Sequence, residues 1–127
     1  MRFHTRKWVK PEDLNPSGTL FGGQLLAWID EELALYTIIQ LENARVVTKH
    51  MSEINFRSSA KQGDIIEIGI DVLKFGTSSL TLKCEARNMM TREIIISIDS
   101  ITMVNLGPDG KPKPHGKTEV EFIKNRI

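Results

Sequence analysis

Three acidic residues in a row, Asp30, Glu31 and Glu32, interrupt an apolar segment that runs from Leu25 to Leu41 without proline or glycine. The segment reads as one helix of about twenty residues, roughly 30 Å long. Its apolar faces are those of a helix buried in a core. A carboxylate in that setting is costly unless it is paired or functional. One turn to either side of Asp30 lie Leu26, Ala27, Leu33 and Ala34. Apolar surroundings make a carboxyl hold its proton more tightly, which suits a general base. Glu31, between Ala27, Trp28, Ala34 and Leu35, is nearly as apolar, so helix geometry alone leaves the choice open. Just ahead stand two adjacent glycines, Gly22 and Gly23, and before them Asn15-Pro16-Ser17-Gly18, a run with turn chemistry.

The elements that must position these groups follow from hydrophobic period. Arg2 to Lys10 reads as a short strand carrying Phe3 and Trp8, and residues 11–16 as loop. The helix spans from near Gly22 to Glu42-Asn43, with Asn43 as a stop signal. Val46 to Phe56 is β-rich at its ends. From Ile65 to Phe75, Ile66, Ile68, Ile70 and Val72 alternate with polar or small residues. After a turn at Gly76, Leu80, Leu82, Cys84 and Ala86 do the same. In the last strand, Glu93 to Asn105, the apolar phase is even at Ile94, Ile96 and Ile98 and odd at Ile101 and Met103. That phase change predicts a β-bulge or sharp twist at Asp99-Ser100. Residues 107–117 read as surface loop, and the remainder as a weakly structured or docking tail. Long antiparallel strands with one apolar face need a cover, and the helix is the element available.

Composition limits the function classes. A chain of 127 residues is expected to be one domain with a real core. Its net charge of +1 offers no strong field for nucleic acid or an acidic membrane. A lone cysteine, Cys84, excludes an intrachain disulfide and reads as a buried small hydrophobe. No apolar run reaches the ~18 residues of a membrane span. The basic start, Met1 to Lys7, lacks a signal-peptide core, so a cytoplasmic location is expected. His4, His50 and His115 lack metal-ligand spacing, and His50 is read as a structural histidine. Gly116-Lys117-Thr118 mimics the end of a phosphate loop, but Lys111 stands where its first glycine would be.

The leading run Asn15-Pro16-x-Gly18-x-x-Phe21-Gly22-Gly23, with Trp28-Ile29-Asp30 inside the helix, resembles the hotdog-fold acyl-CoA thioesterases. The similarity is to the subfamily of the bacterial YciA type and the mammalian cytosolic acyl-CoA hydrolases. Arg45-Val46-Val47-Thr48, Ile54-Asn55-Phe56, Gly63-Asp64 and Gly76-Thr77-Ser78-Ser79 fall where that family carries similar residues. The resemblance covers residues 11–112. It implies an α+β hotdog fold, a long central helix wrapped by a curved five-stranded antiparallel sheet. Residues 1–127 would form a single domain, with 113–127 a C-terminal tail.

The resemblance implies hydrolysis of acyl-CoA to free fatty acid and coenzyme A, with water activated by Asp30. Free N–H groups at a helix N-terminus suit an oxyanion, and Gly22 and Gly23 let a carbonyl approach the backbone. The resemblance makes the Gly23 N–H the donor, with a neighbour such as Gln24. It also has Asn15 of one chain serving Asp30 of another, and Thr48 near the site, with Asp13 structural. Coenzyme A carries phosphates, so cations and turn N–H groups are expected at the mouth. Arg57 and Lys61 on one turn, and Lys74, Gly76, Thr77 and Ser78 on the next, are the candidates. An apolar acyl tunnel would include Leu26. No cofactor or metal is implied, and the site would sit at a subunit interface of a dimer or a trimer of dimers (a hexamer). Two alternatives share the fold. One is a non-catalytic acyl-CoA sensor. The other is a hydratase or dehydratase, which typically uses a histidine near the start of the helix, where this chain has none.

Overall fold

The computed structural model describes residues 1–121. Strand β1 (Arg2–Trp8) leads through a 3-10 turn (Pro11–Asp13) to helix α1 (Gly22–Leu41). Four strands follow: β2 (Val46–Phe56), β3 (Ile65–Phe75), β4 (Ser79–Asn88) and β5 (Ile94–Asn105). They form one sheet in the order β1-β3-β4-β5-β2, antiparallel throughout. This is the hotdog architecture that the resemblance implies.

Alternation puts Ile66, Ile68 and Ile70 of β3 and Leu80, Leu82, Cys84 and Ala86 of β4 on the helix side, all buried. They pack against Leu25, Trp28, Ile29 and Leu33 of α1. Burying each such aliphatic side chain contributes about 1.5–3 kcal/mol. The expected bulge in β5 is present. Leu82 pairs with Ile101 and Cys84 with Ile98, so Asp99 and Ser100 oppose one residue, Lys83. The extra residue restores the phase, and Ile96, Ile98, Ile101 and Met103 are all essentially inaccessible. Further register shifts occur in β1, β2 and β3. Bulges strengthen twist and bend strands, which curves this sheet around one helix.

The helix ends at Glu42, in the left-handed region with φ 54°. Just beyond, Asn43 donates to Asn105 Oδ1 and the Leu106 carbonyl at 2.8 and 2.9 Å, which fixes the stop. The loop expected over 107–117 is tied down, and of the two readings of the tail, weakly structured or docking, its described part docks. His115 N–H donates to the Thr77 carbonyl at 3.1 Å. Its ring accepts from the Lys117 N–H at Nδ1, which leaves Nε2–H to donate to the Ser79 carbonyl at 2.8 Å. Gln40 and the Glu121 backbone exchange two hydrogen bonds, 2.6 and 2.7 Å. The rest of the expected tail, 122–127, lies outside the described residues.

The expectation of a helix buried on most faces needs correction. Asp30, Glu31, Leu35 and Ile39 are exposed. A five-stranded sheet covers one side of a helix and its flanks, and the opposite side is left open. Among the described residues no helix is long and apolar enough to cross a membrane.

Candidate active site

The loop ahead of α1 is a set of nested turns. Asn15 Oδ1 accepts from the Ser17 and Thr19 N–H groups at 3.0 and 3.1 Å, and Asn15 Nδ2 donates to Thr19 Oγ1 at 3.0 Å. Gly18, at φ 83°, supplies the left-handed residue the turn needs. Asp13, 3% exposed, accepts from the Lys10 N–H at 2.9 Å and from Gln24 Nε2 at 3.1 Å. The Phe21 N–H donates to the Asp13 carbonyl at 2.9 Å. Asp13 is thus the structural link between the loop and the first turn of the helix, as the sequence implied.

At the helix start the Gln24 N–H is committed to the Phe21 carbonyl at 3.0 Å, so it is not the second oxyanion donor. The N–H groups of Gly22 and Gly23 have no partner among the described residues. A side chain at either position would press on an aromatic ring. A Cβ on Gly22 would lie 3.2 Å from the Phe56 ring, and one on Gly23 2.7 Å from the Phe21 ring. Both rings are more than half exposed. The helix therefore presents an open, positively polarised end flanked by two solvent-facing aromatics.

From that end a groove of about 440 Å³ runs between α1 and β2. Gly23, Leu26, Ala27 and Asp30, one stripe at helical spacing, form one wall. Thr48, Met51 and Ile54 of β2 contribute to the other. Thr48 Oγ1 donates to Asp30 Oδ1 at 2.6 Å. The apolar enclosure expected around Asp30 is absent within one chain, because Asp30 faces the groove rather than the core. The structure thus brings together Gly23, Asp30 and Thr48.

The other candidates lie elsewhere. Asn15 is engaged in its own turn and does not line the groove. Arg57, exposed, follows Phe56 at the end of β2, and its Nε donates to Ser97 Oγ at 2.8 Å. Lys61 pairs with Thr19 in an isolated bridge that joins its turn to the Asn15 loop. Lys74 lies near the end of β3, and Gly76, Thr77 and Ser78 form the β3–β4 turn, which the C-terminal segment and Asn105 strap down. That turn is not part of the groove. His50, expected to be a structural histidine, is exposed and borders the groove. Its signal is a register shift, with Lys49 the extra residue between Thr48 and His50. Cys84 is buried, and burial, with Glu85 and Glu32 adding to it, pushes its thiol up to about 12. Among the described residues no cluster of three or more His, Cys, Asp or Glu is arranged to hold a metal ion.

Known proteins resemble this chain in sequence and in fold. YkhA of Bacillus subtilis, named as an uncharacterised acyl-CoA thioester hydrolase, is 33% identical over 109 residues. The match covers 84% of this chain, which spans only 63% of that relative's length. The acyl-CoA thioester hydrolase YciA of Salmonella typhimurium is 27% identical over 115 residues, 86% of each chain. The hexameric thioesterase y2039 of Yersinia pestis superposes with a TM-score of 0.82 at 26% identity, covering 89% of this chain and 93% of that one. An acyl-CoA hydrolase of Staphylococcus aureus, solved with butyryl coenzyme A and coenzyme A, gives 0.76 at 32% identity, covering 87% and 66%. It has also been solved with an aspartate, a threonine or an asparagine replaced by alanine. The sequence profile of the thioesterase superfamily matches residues 17–95. That stretch begins inside the leading loop, after Asn15 and Pro16, and holds the whole of α1 and strands β2 to β4; on it the chain belongs to the thioesterase superfamily.

Proposed function

We propose that this protein, a single domain working in the cytoplasm, hydrolyses acyl-CoA thioesters at the groove between α1 and β2. Water attacks the thioester carbonyl carbon, and Asp30 takes its proton. The Gly23 N–H, at the positive end of the helix, stabilises the oxyanion of the tetrahedral intermediate. The carbon–sulfur bond then breaks and the proton held by Asp30 passes to the departing sulfur, leaving a carboxylic acid, coenzyme A thiol and a free Asp30 carboxylate. The observation that carries this reading is the Asp30 carboxylate, fixed by Thr48 on the same helix face as Gly23. Two helical turns separate Gly23 from Asp30, about 10 Å. A hydrogen bond, a carbonyl, a near-attack contact and a second hydrogen bond laid end to end also span about 10 Å.

One chain supplies half of the site. The groove is open, β2 is an 11-residue edge strand, and Val47, Ile54 and Phe56 on it are exposed. Long apolar edges of this kind are unfavourable in solution. A second copy covers them, encloses Asp30 and brings its Asn15 toward the reacting centre. The hexameric state of the Yersinia pestis relative supports a trimer of such dimers here. The aspartate, asparagine and threonine chosen for replacement in the Staphylococcus aureus hydrolase match Asp30, Asn15 and Thr48 in residue type. Arg57 and Lys61, on the turn after β2 that bridges to the Asn15 loop, are the cations we assign to the coenzyme A phosphates, although neither lines the groove of one chain. For Lys74, Gly76, Thr77 and Ser78 such a role requires the turn of a neighbouring copy.

The test is thiol release from acyl-CoA esters of increasing chain length, with wild type and Asp30→Asn side by side. Turnover in the wild type is expected to fall by at least about a hundredfold in the variant, with the assembly unchanged by light scattering. Full activity in Asp30→Asn refutes the assignment of the base. Saturable coenzyme A binding without turnover on any ester refutes hydrolysis and leaves a sensor.

A further inference from the structure

Helix α1 carries a second lined face. Glu32, Leu35, Tyr36 and Ile39, spaced as are the residues of the groove, turn toward β1 and form one wall of a separate cleft of about 250 Å³. His4 and Thr5 contribute the opposite side, with isoleucines of β3 as the floor. Neighbouring strand residues normally point to opposite faces. Here Phe3 pairs with Gly69 and Thr5 with Ile68, so His4 is the extra residue of a bulge. The bulge re-aims His4 toward the helix alongside Thr5. Its Nε2 is buried and has no hydrogen-bond partner among the described residues. Buried polar atoms are seldom left so, and each calls for a partner.

The charges around the cleft indicate what that partner is. Arg2 and Lys7, on the same strand, place positive potential on His4 and Glu32 respectively. Burial raises the Glu32 carboxyl above its ordinary range, with Lys7 opposing and Glu31 adding, so Glu32 and an acid in the cleft can share one proton between their carboxyl groups. Burial also keeps the His4 imidazole toward its neutral form, able to donate from Nε2. Leu35 and Ile39 supply an apolar wall beside these groups, which gives the cleft one polar and one apolar end.

We propose that this cleft is a second ligand site that takes a short-chain carboxylic acid, its carboxyl group at His4 Nε2 and Glu32 and its alkyl chain against Leu35 and Ile39. The cleft is too small for a coenzyme A nucleotide, and it lies across the helix from Asp30. That the acid is the product of this protein's own reaction, so that the site registers product, rests on the hydrolase reading above.

Butyrate, hexanoate and octanoate titrated into the full chain and into Asp30→Asn test the site. The chain has three histidines, His4, His50 and His115, whose imidazole signals can be followed separately by carbon–proton NMR. The His4 signal is expected to move saturably in both proteins while the other two stay in place. Leu35, 47% exposed, tolerates a larger side chain, and Leu35→Trp fills the cleft. Leu35→Trp and His4→Phe should each weaken binding about tenfold or more by calorimetry. A His4 signal that does not move, one that moves in step with His50, or Leu35→Trp binding as tightly as wild type overturns the site. Thiol release measured in parallel separates the two readings. Acid binding at His4 without turnover refutes only the hydrolase, and turnover without acid binding at His4 refutes only this site.

Discussion

Thr48→Val removes one hydroxyl and keeps the shape of the side chain, so it isolates the contact with Asp30. The hydrogen bond, at 2.6 Å, has the length of an O–H donor on an ionised carboxylate. Such bonds contribute about 1.5–3 kcal/mol. Asp30 is exposed in the single chain, so the lower end applies, about 1.5 kcal/mol, or roughly tenfold in rate. The bond orients the base and does not hold the substrate. The loss should therefore fall on kcat, with KM changing less than about twofold. Thr48→Ser keeps the donor and should stay within about threefold of wild type. The assay is steady-state release of coenzyme A thiol, read with a thiol-reactive dye. Buried Cys84, with its thiol pushed up to about 12, contributes no background while the protein is folded. A Thr48→Val enzyme with unchanged kcat, or a loss confined to KM, refutes the orienting role. So does a Thr48→Ser enzyme as slow as Thr48→Val.

Two further outcomes follow from the same contacts. Asp13→Ala leaves the Lys10 N–H and the Gln24 amide without their acceptor. Stability should fall by about 2 kcal/mol and the thermal midpoint by several degrees, and a midpoint within about a degree of wild type would contradict the linking role. Glu32 has its carboxyl pKa raised above the ordinary 4.5, chiefly by burial. Between those two values the folded state binds more protons than the unfolded one, so Glu32 lowers stability as pH rises through the window. Glu32→Gln cannot ionise, so its stability relative to wild type should grow with pH from near 4.5 and then level off. Urea unfolding across that range measures it, and a difference that shrinks with rising pH would reverse the sign assigned here.

Periodicity made the secondary structure readable because it acts locally. The run from Leu25 to Leu41, without proline or glycine, is too long for an ordinary strand and reads as a helix, and the alternations in β3 and β4 can only present one face to a core. The phase slip from Ile98 to Ile101 foretold the β5 bulge for the same reason. Once those elements exist, one helix and five strands leave few ways to bury the isoleucines, and the sheet wraps the helix. The glycine pair and the Asn15 turn were legible as well, since turn geometry depends on neighbouring residues only.

What the helix acids face is a different matter. Asp30, Glu31 and Glu32 are adjacent in sequence, yet about 100° of rotation separates each from the next. The tertiary fold sends Asp30 to the β2 groove and Glu32 to the β1 cleft, and leaves Glu31 in solvent. Local neighbours suggested burial for Asp30 because Leu26, Ala27, Leu33 and Ala34 are apolar, but exposure depends on where the sheet ends. The pairing of Thr48 with Asp30 joins residues eighteen apart through the placement of β2. The turning of His4 toward the helix depends on the register of β1 against β3. The sequence by itself determined which segments are helix, strand and turn, because short-range sterics and hydrophobic period set those. Only the tertiary structure decided which side chains meet across them, because that depends on strand order, bulges and the reach of the sheet.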